Sequence, residues 1–125
     1  MSGGRVQGNV VRYLVGEAYG SRPHYGLIYD LLLHTPLPLA AVLRLTPRHL
    51  RPKSREIHIG KHTVKPPDGL YDALQKYIKV KKPSPYGRLF PVHRNSVYTH
   101  LERLSLREGL GRLRIKDIKA YRDIE

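Results

Sequence analysis

At 125 residues, 40% of them hydrophobic, with a mean hydropathy of −0.46, the chain can bury one core and is too apolar to stay disordered throughout. It has no cysteine, which excludes disulfides, thiolate chemistry and cysteine-based zinc sites. The 23 Lys+Arg against 10 Asp+Glu leave a net charge of +13, a self-repulsion that a polyanion would relieve; nucleic acid is the usual such partner, an anionic membrane the less usual.

In chain order, residues 1–4 are expected to fray. Val6, Val10, Val11, Leu14 and Val15 share one face of a helix from Arg5 to about Tyr19, ended by Gly20-Ser21. A second helix runs from about Pro23 to His34, with Leu27, Ile28, Leu31 and Leu32 as its apolar stripe, and Pro36 and Pro38 stop it. A short third helix covers about Leu39–Leu45. Thr46-Pro47 then reads as a cap and first-turn proline opening one more turn through Leu50.

After the polar turn "RPKS", the alternation in "REIHI" (55–59) predicts a strand, with Ile57 and Ile59 on one face and His58 on the other. Gly60-Lys61 is a plausible hairpin tip, and "HTVKP" returns as a second strand closed by Pro66 and Pro67. Leu70, Leu74, Tyr77 and Ile78 predict a helix from Asp68 to about Ile78. A basic, proline-rich loop (80–88) leads to "LFP" (89–91), read as a short buried extended piece. Asn95 or Ser96 is expected to cap a helix over about 96–107 with Val97, Leu101 and Leu104 inward. Gly109 and Gly111 end it, and a last helix runs about 114–124 with Ile115, Ile118, Tyr121 and Ile124 on one broad face. The fold class is thus mainly α with a small β-hairpin (α+β), in a single domain over residues 1–125.

No window holds 18 uninterrupted apolar residues and "MSGGRVQGNV" has no signal-peptide core, so no membrane span is expected and a cytoplasmic location is. Asn, Gln and Met are scarce while charged residues and prolines abound, the composition of a heat-adapted protein.

Several motifs fail on chemistry. "GKHT" (60–63) resembles the end of a phosphate-binding loop, but Arg55 stands where the first glycine is required. His58 and His62 are four apart, which suits zinc on a helix and not on the strand read here, and no acidic residue lies between them. No metal and no cofactor is expected, nor is any nucleophile-elbow spacing or any carboxylate pair in an apolar setting present. The basic segments recur at turns and helix ends: Arg48–Arg55, Lys61–Lys65, Lys79–Lys82, Arg88–Arg94 and Arg112–Lys119. Nine tyrosines offer stacking or phosphate hydrogen bonds among them.

The order of helix, "TPLPLAAVLRLTPRHL", hairpin with a lysine at its tip, "VKPP", helix, "LFP", capped helix and "IKDIKAYR" resembles the catalytic domain of tyrosine recombinases of the phage-integrase type, over about residues 24–122. Thr35, Leu37, Val42 and Leu45 fit the family's first box. Pro36 stands where its glycine would be, Pro38 where its catalytic arginine would be and Ala41 where its glutamate would be. The hairpin lysine, a general acid in the family, maps to Lys61. The second box falls on Lys116, Asp117, Ile118 and Lys119, with its histidine and arginine both replaced by lysine, and the family's nucleophilic tyrosine comes farther downstream than Glu125.

These replacements imply a truncated integrase-like core that does not cut. In-line attack on a phosphodiester needs forked guanidinium donors on the non-bridging oxygens; Pro38 has none and Lys119 lacks the fork. The expectation is a non-catalytic, nucleoid-associated protein that binds duplex DNA mainly through phosphates, with no catalytic residue. The resemblance aims His93, Arg94, Asn95, Ser96, Tyr98 and Thr99 at DNA, with Lys61, His62, Lys116 and Lys119 gripping phosphates. Two alternatives stand beside it: regulation of an intact recombinase by protein contact or site occupation, and binding of RNA or the ribosome. The sequence leaves the oligomeric state open.

Overall fold

The computed structural model describes residues 8–120. Residues 1–4, Val6, Tyr121 and Ile124 lie outside that range. Helix α1 spans Gly8–Ser21, α2 Pro23–His34 and α3 Leu39–Val42, followed by a single 3-10 turn at Pro47–His49. Strands β1 (Leu50–Arg51), β2 (Glu56–Ile59) and β3 (His62–Val64) come next. Helices α4 (Asp68–Lys81), α5 (Arg94–Arg107) and α6 (Ile115–Ala120) complete the order. The architecture is α+β, helices around one small antiparallel sheet.

Helix α2 is the axis. Tyr25 through Tyr29 and Leu31 through Leu33 are all buried, so it is apolar nearly all round, as a core helix must be. Helices α1, α3, α4 and α6 pack on it. Pro23 at its first turn needs no amide partner, and Thr35 closes its far end: the Thr35 hydroxyl donates to the Leu31 carbonyl at 2.6 Å and accepts from the Leu37 amide at 3.3 Å. At this corner Thr35 and Leu37 are buried while Pro36 and Pro38 face outward. The inside of the bend is therefore apolar packing, and burial places no restriction on charge at position 38.

The sheet has order β1-β2-β3 with both pairs antiparallel. Its register sets Leu50 against Ile57 and Ile57 against Val64, all buried, on the inner face. The expected hairpin is present with Gly60 at its tip in the left-handed region (φ 58°), and β1 adds a third strand too short to show an alternation. Arg55, just before β2, also has positive φ (57°). Its guanidinium compensates by reaching Asp68 (3.1 Å) and Asp72 and lying 5.0 Å over the Tyr71 ring, which ties the turn to α4.

Several boundaries differ from the periodicity. Helix α1 runs through Gly20 to Ser21, and α3 stops at Val42, short of the expected Leu45. Helix α4 continues three residues past Ile78 to Lys81 and stops at Lys82, which takes the left-handed cap conformation (φ 51°). Helix α5 begins at Arg94 and is capped by His93, not by Asn95 or Ser96. The "LFP" segment is a buried bend: the Leu89 amide donates to the Leu45 carbonyl at 2.8 Å, and Leu89 and Phe90 enter the core.

Candidate nucleic-acid interface

Helix α5 buries Val97, Leu101, Leu104 and Ser105 and turns Asn95, Ser96, Tyr98, Thr99 and Arg103 outward. His93 is exposed, and its ring Nδ1 accepts the Asn95 amide at 3.1 Å, which satisfies one of the orphan donors of the first turn. Ser105 then fixes the chain beyond the helix. Its hydroxyl donates to the Glu102 carbonyl at 3.0 Å and accepts the Leu113 amide at 3.2 Å, while its own carbonyl takes the Leu110 amide at 2.9 Å. Gly109 and Gly111, with φ of 74° and 77°, allow the reversal that this pinning requires. The basic loop between α5 and α6, with Arg112 and Arg114, is thereby held alongside α5.

One flank of α5 is a depression of about 450 Å³ bordered by Tyr98, Glu102, Arg112, Arg114 and Lys116. The acid in it is taken up by Arg112, whose Nε lies 2.8 Å from a Glu102 carboxylate oxygen. The opposite flank is a depression of about 400 Å³ bordered by Arg22, Asn95, Ser96, Thr99, His100 and Arg103. Its floor is a stack: the His100 and Tyr25 rings lie 3.9 Å apart at 7°, and the Tyr29 hydroxyl sits 2.7 Å from His100 Nδ1. Burial, then the charges of Arg22, His24 and Arg107, hold the His100 pKa down at about 4. Burial pushes the Tyr29 hydroxyl up. With the phenol protonated and the imidazole neutral, Tyr29 either donates to His100 Nδ1 or accepts from it while donating to the Val97 carbonyl at 3.5 Å, according to the ring's tautomer.

That neutral histidine carries a pH signature. The His100 pKa in the folded chain, about 4, is below the ordinary 6.5, so the unfolded chain takes up the proton first. Stability is expected to be full above pH 6.5 and to decline as pH falls toward 4. In His100→Phe, which keeps a ring on Tyr25, the decline over that window is expected to be shallower when melting temperature is followed against pH. Burial also lowers His24 and His49, which retain part of the slope. An unchanged slope in the variant would refute a buried neutral ring.

The remaining expected contact residues are scattered. Lys61 is exposed at the hairpin tip, and neither it nor His62 lines either depression. His62 pairs with Ile59 and so shares the inner face of the sheet, half-buried, whereas His58 pairs with Thr63 on the outer face beside Glu56. The two histidines therefore point to opposite faces and cannot share a metal. No group of three or more metal-ligating side chains occurs among the described residues. Lys116 borders a depression, but Lys119 turns inward and donates to the Leu37 carbonyl at 2.9 Å. Sequence reasoning missed Arg22, Tyr25, His100 and Arg103. For Arg103 the signal was available, since Asn95, Thr99 and Arg103 recur at helical spacing; Arg22 comes from another helix junction and has no such signal.

Every carboxylate among residues 8–120 has a partner. Arg55 takes Asp68 and Asp72, Arg107 takes Glu17 and Glu108, and Arg112 takes Glu102. His34 and Tyr19 hold Asp30, His58 holds Glu56, and the Arg114 amide caps onto Asp117. Three arginines thus absorb most of the acidic side chains, and most of the excess positive charge has no carboxylate in the chain to neutralise it. No helix among the described residues is long and apolar enough to cross a membrane.

Compared with protein-family models, curated proteins and solved structures, the chain matches none.

Proposed function

We propose that this chain binds duplex DNA without cutting it, presenting α5 and the basic loop beside it to the phosphates. The observation that carries the reading is the charge balance: a net +13 in which every carboxylate among residues 8–120 is already engaged, with arginines on both sides of one polar helix face and a lysine on one. Asn95, Ser96 and Thr99 add neutral donors suited to phosphate or base edges.

A degenerate tyrosine-recombinase-like scaffold is supported by one contact. Lys119 Nζ meets the Leu37 carbonyl, so the segment resembling the second box touches the corner resembling the first. In such a site two guanidiniums would converge on a phosphate. Here Pro38 brings no donor, although its position is exposed, and Lys119 spends a donor on the backbone. Such a protein would hold strands without breaking them.

Mobility-shift titration across salt tests the reading. Each phosphate neutralised contributes about −0.9 to the slope of log K against log salt, so a slope steeper than about −3 is expected. A slope near zero would overturn DNA binding. Supercoiled plasmid is expected to remain intact; nicked or covalently trapped plasmid would overturn the non-catalytic part. Structured RNA competing better than duplex DNA would redirect the assignment to RNA.

A further inference from the structure

Away from the α5 face, α2 and α4 leave a groove of about 470 Å³ with Tyr19, Leu27, Ala73, Tyr77 and Val80 along it and Lys76 and Lys81 on its rim. Past His24, Tyr77 and Lys81 it continues into a second stretch of about 350 Å³, walled by Leu89, Pro91 and Val92 with Arg88 at the edge. Among the described residues no acidic side chain lines either stretch. Val80 stands 69% exposed between Lys79 and Lys81. It lies three residues beyond Tyr77, on the same side of α4, so it extends the apolar floor. From Ala73 to Val80 the floor runs roughly 10 Å along the helix, about two turns.

We propose that this groove docks an acidic segment of a partner protein that presents a row of apolar side chains. Charge complementarity selects that occupant. The cationic rim of Lys76, Lys81 and Arg88 suits carboxylates, while Leu27, Ala73 and Val80 make the floor between Tyr19, whose hydroxyl is held by Asp30, and Tyr77 an apolar strip that a phosphate backbone would leave unused. An apolar side chain would be desolvated on this floor, and glutamates beside it would reach the lysines. The groove shares no lining residue with the two depressions beside α5, and it adjoins one of them through His24, whose ring lies 4.3 Å from that of Tyr25; it gives the chain a second surface, for a partner other than DNA.

Fluorescence anisotropy with the full chain tests the docking. The probe is a labelled helix-forming peptide with leucines at helical spacing among glutamates; its control has serine for every leucine. Saturable binding of the leucine peptide is expected, with the serine peptide at least about tenfold weaker, about 1.4 kcal/mol. Val80→Glu, at an exposed position, and the double variant Lys76→Glu/Lys81→Glu are each expected to lose about tenfold in peptide affinity. The Val80→Glu variant should keep wild-type affinity for duplex DNA. No binding, or equal binding of the two peptides, would overturn the proposal. So would a loss of DNA affinity in Val80→Glu, which would make the groove a nucleic-acid site. Self-association of the chain that Val80→Glu abolishes would overturn it too, making a second copy the occupant.

Discussion

Reversing two charges that border α5, Arg103→Glu with Arg114→Glu, is expected to make the salt dependence of DNA binding shallower by about two, roughly one per lost phosphate contact. Affinity at physiological salt should fall by well over about tenfold, because each glutamate also repels the backbone. The two arginines sit on opposite flanks, one on the helix and one on the loop pinned by Ser105, and both are exposed. Folding should therefore tolerate the change, and a melting temperature close to wild type is part of the expected result. If affinity and slope stay as they were in a folded variant, α5 is not the DNA-binding face. The same double substitution in the hairpin and the α4–α5 loop, Lys61→Glu with Arg88→Glu, locates the face if it lies there.

Gly26→Ala is expected to destabilise the chain by about 1–3 kcal/mol, the usual range for overpacking. Here α1 crosses α2 so closely that a Cβ at position 26 would lie 2.5 Å from Tyr19 Cγ and 2.9 Å from Tyr19 Cα. Rotating the tyrosine cannot relieve the second contact, which is backbone. It would also break the bond from the Tyr19 hydroxyl to Asp30, 2.7 Å long, that joins the two helices. The helices must separate, and the buried Leu14, Ala18 and Leu27 lose packing with them. Gly16→Ala supplies the contrast. It lies in the same helix pair with nothing near its would-be Cβ, so helix propensity alone should stabilise it by roughly 1 kcal/mol. Chemical denaturation of the two variants measures both signs. Equal stabilisation in both would show that α1 does not approach α2 at Gly26.

Much of the local structure was legible because its causes are local. Helix α2 has the bounds that Pro23 and the Thr35-Pro36 corner set, since a proline acts within a residue or two on the chain it sits in. The alternation of Ile57 and Ile59 and the glycine at position 60 place the hairpin for the same reason. The cap of α5 lies two or three residues before the expected Asn95 or Ser96 because the His93 ring turns back on its own helix to take the Asn95 amide, an orientation that composition does not show. Strand β1 escaped because two residues carry no period; only its partner β2 makes it a strand.

The charge excess, the apolar bend at Thr35–Pro38 and the absence of forked donors at Pro38 and Lys119 belong to the sequence, because each is a property of residue identity. Which groups meet belongs to the tertiary structure. Lys119 against the Leu37 carbonyl, His100 stacked on Tyr25, Arg22 bordering the same depression as Thr99 and the lysine-rimmed groove between α2 and α4 all join residues far apart in the chain or on different elements. Periodicity assigns a side chain to a face of its own helix. Only the packing of helices at close range decides which faces confront each other, and with that which cations remain for a partner.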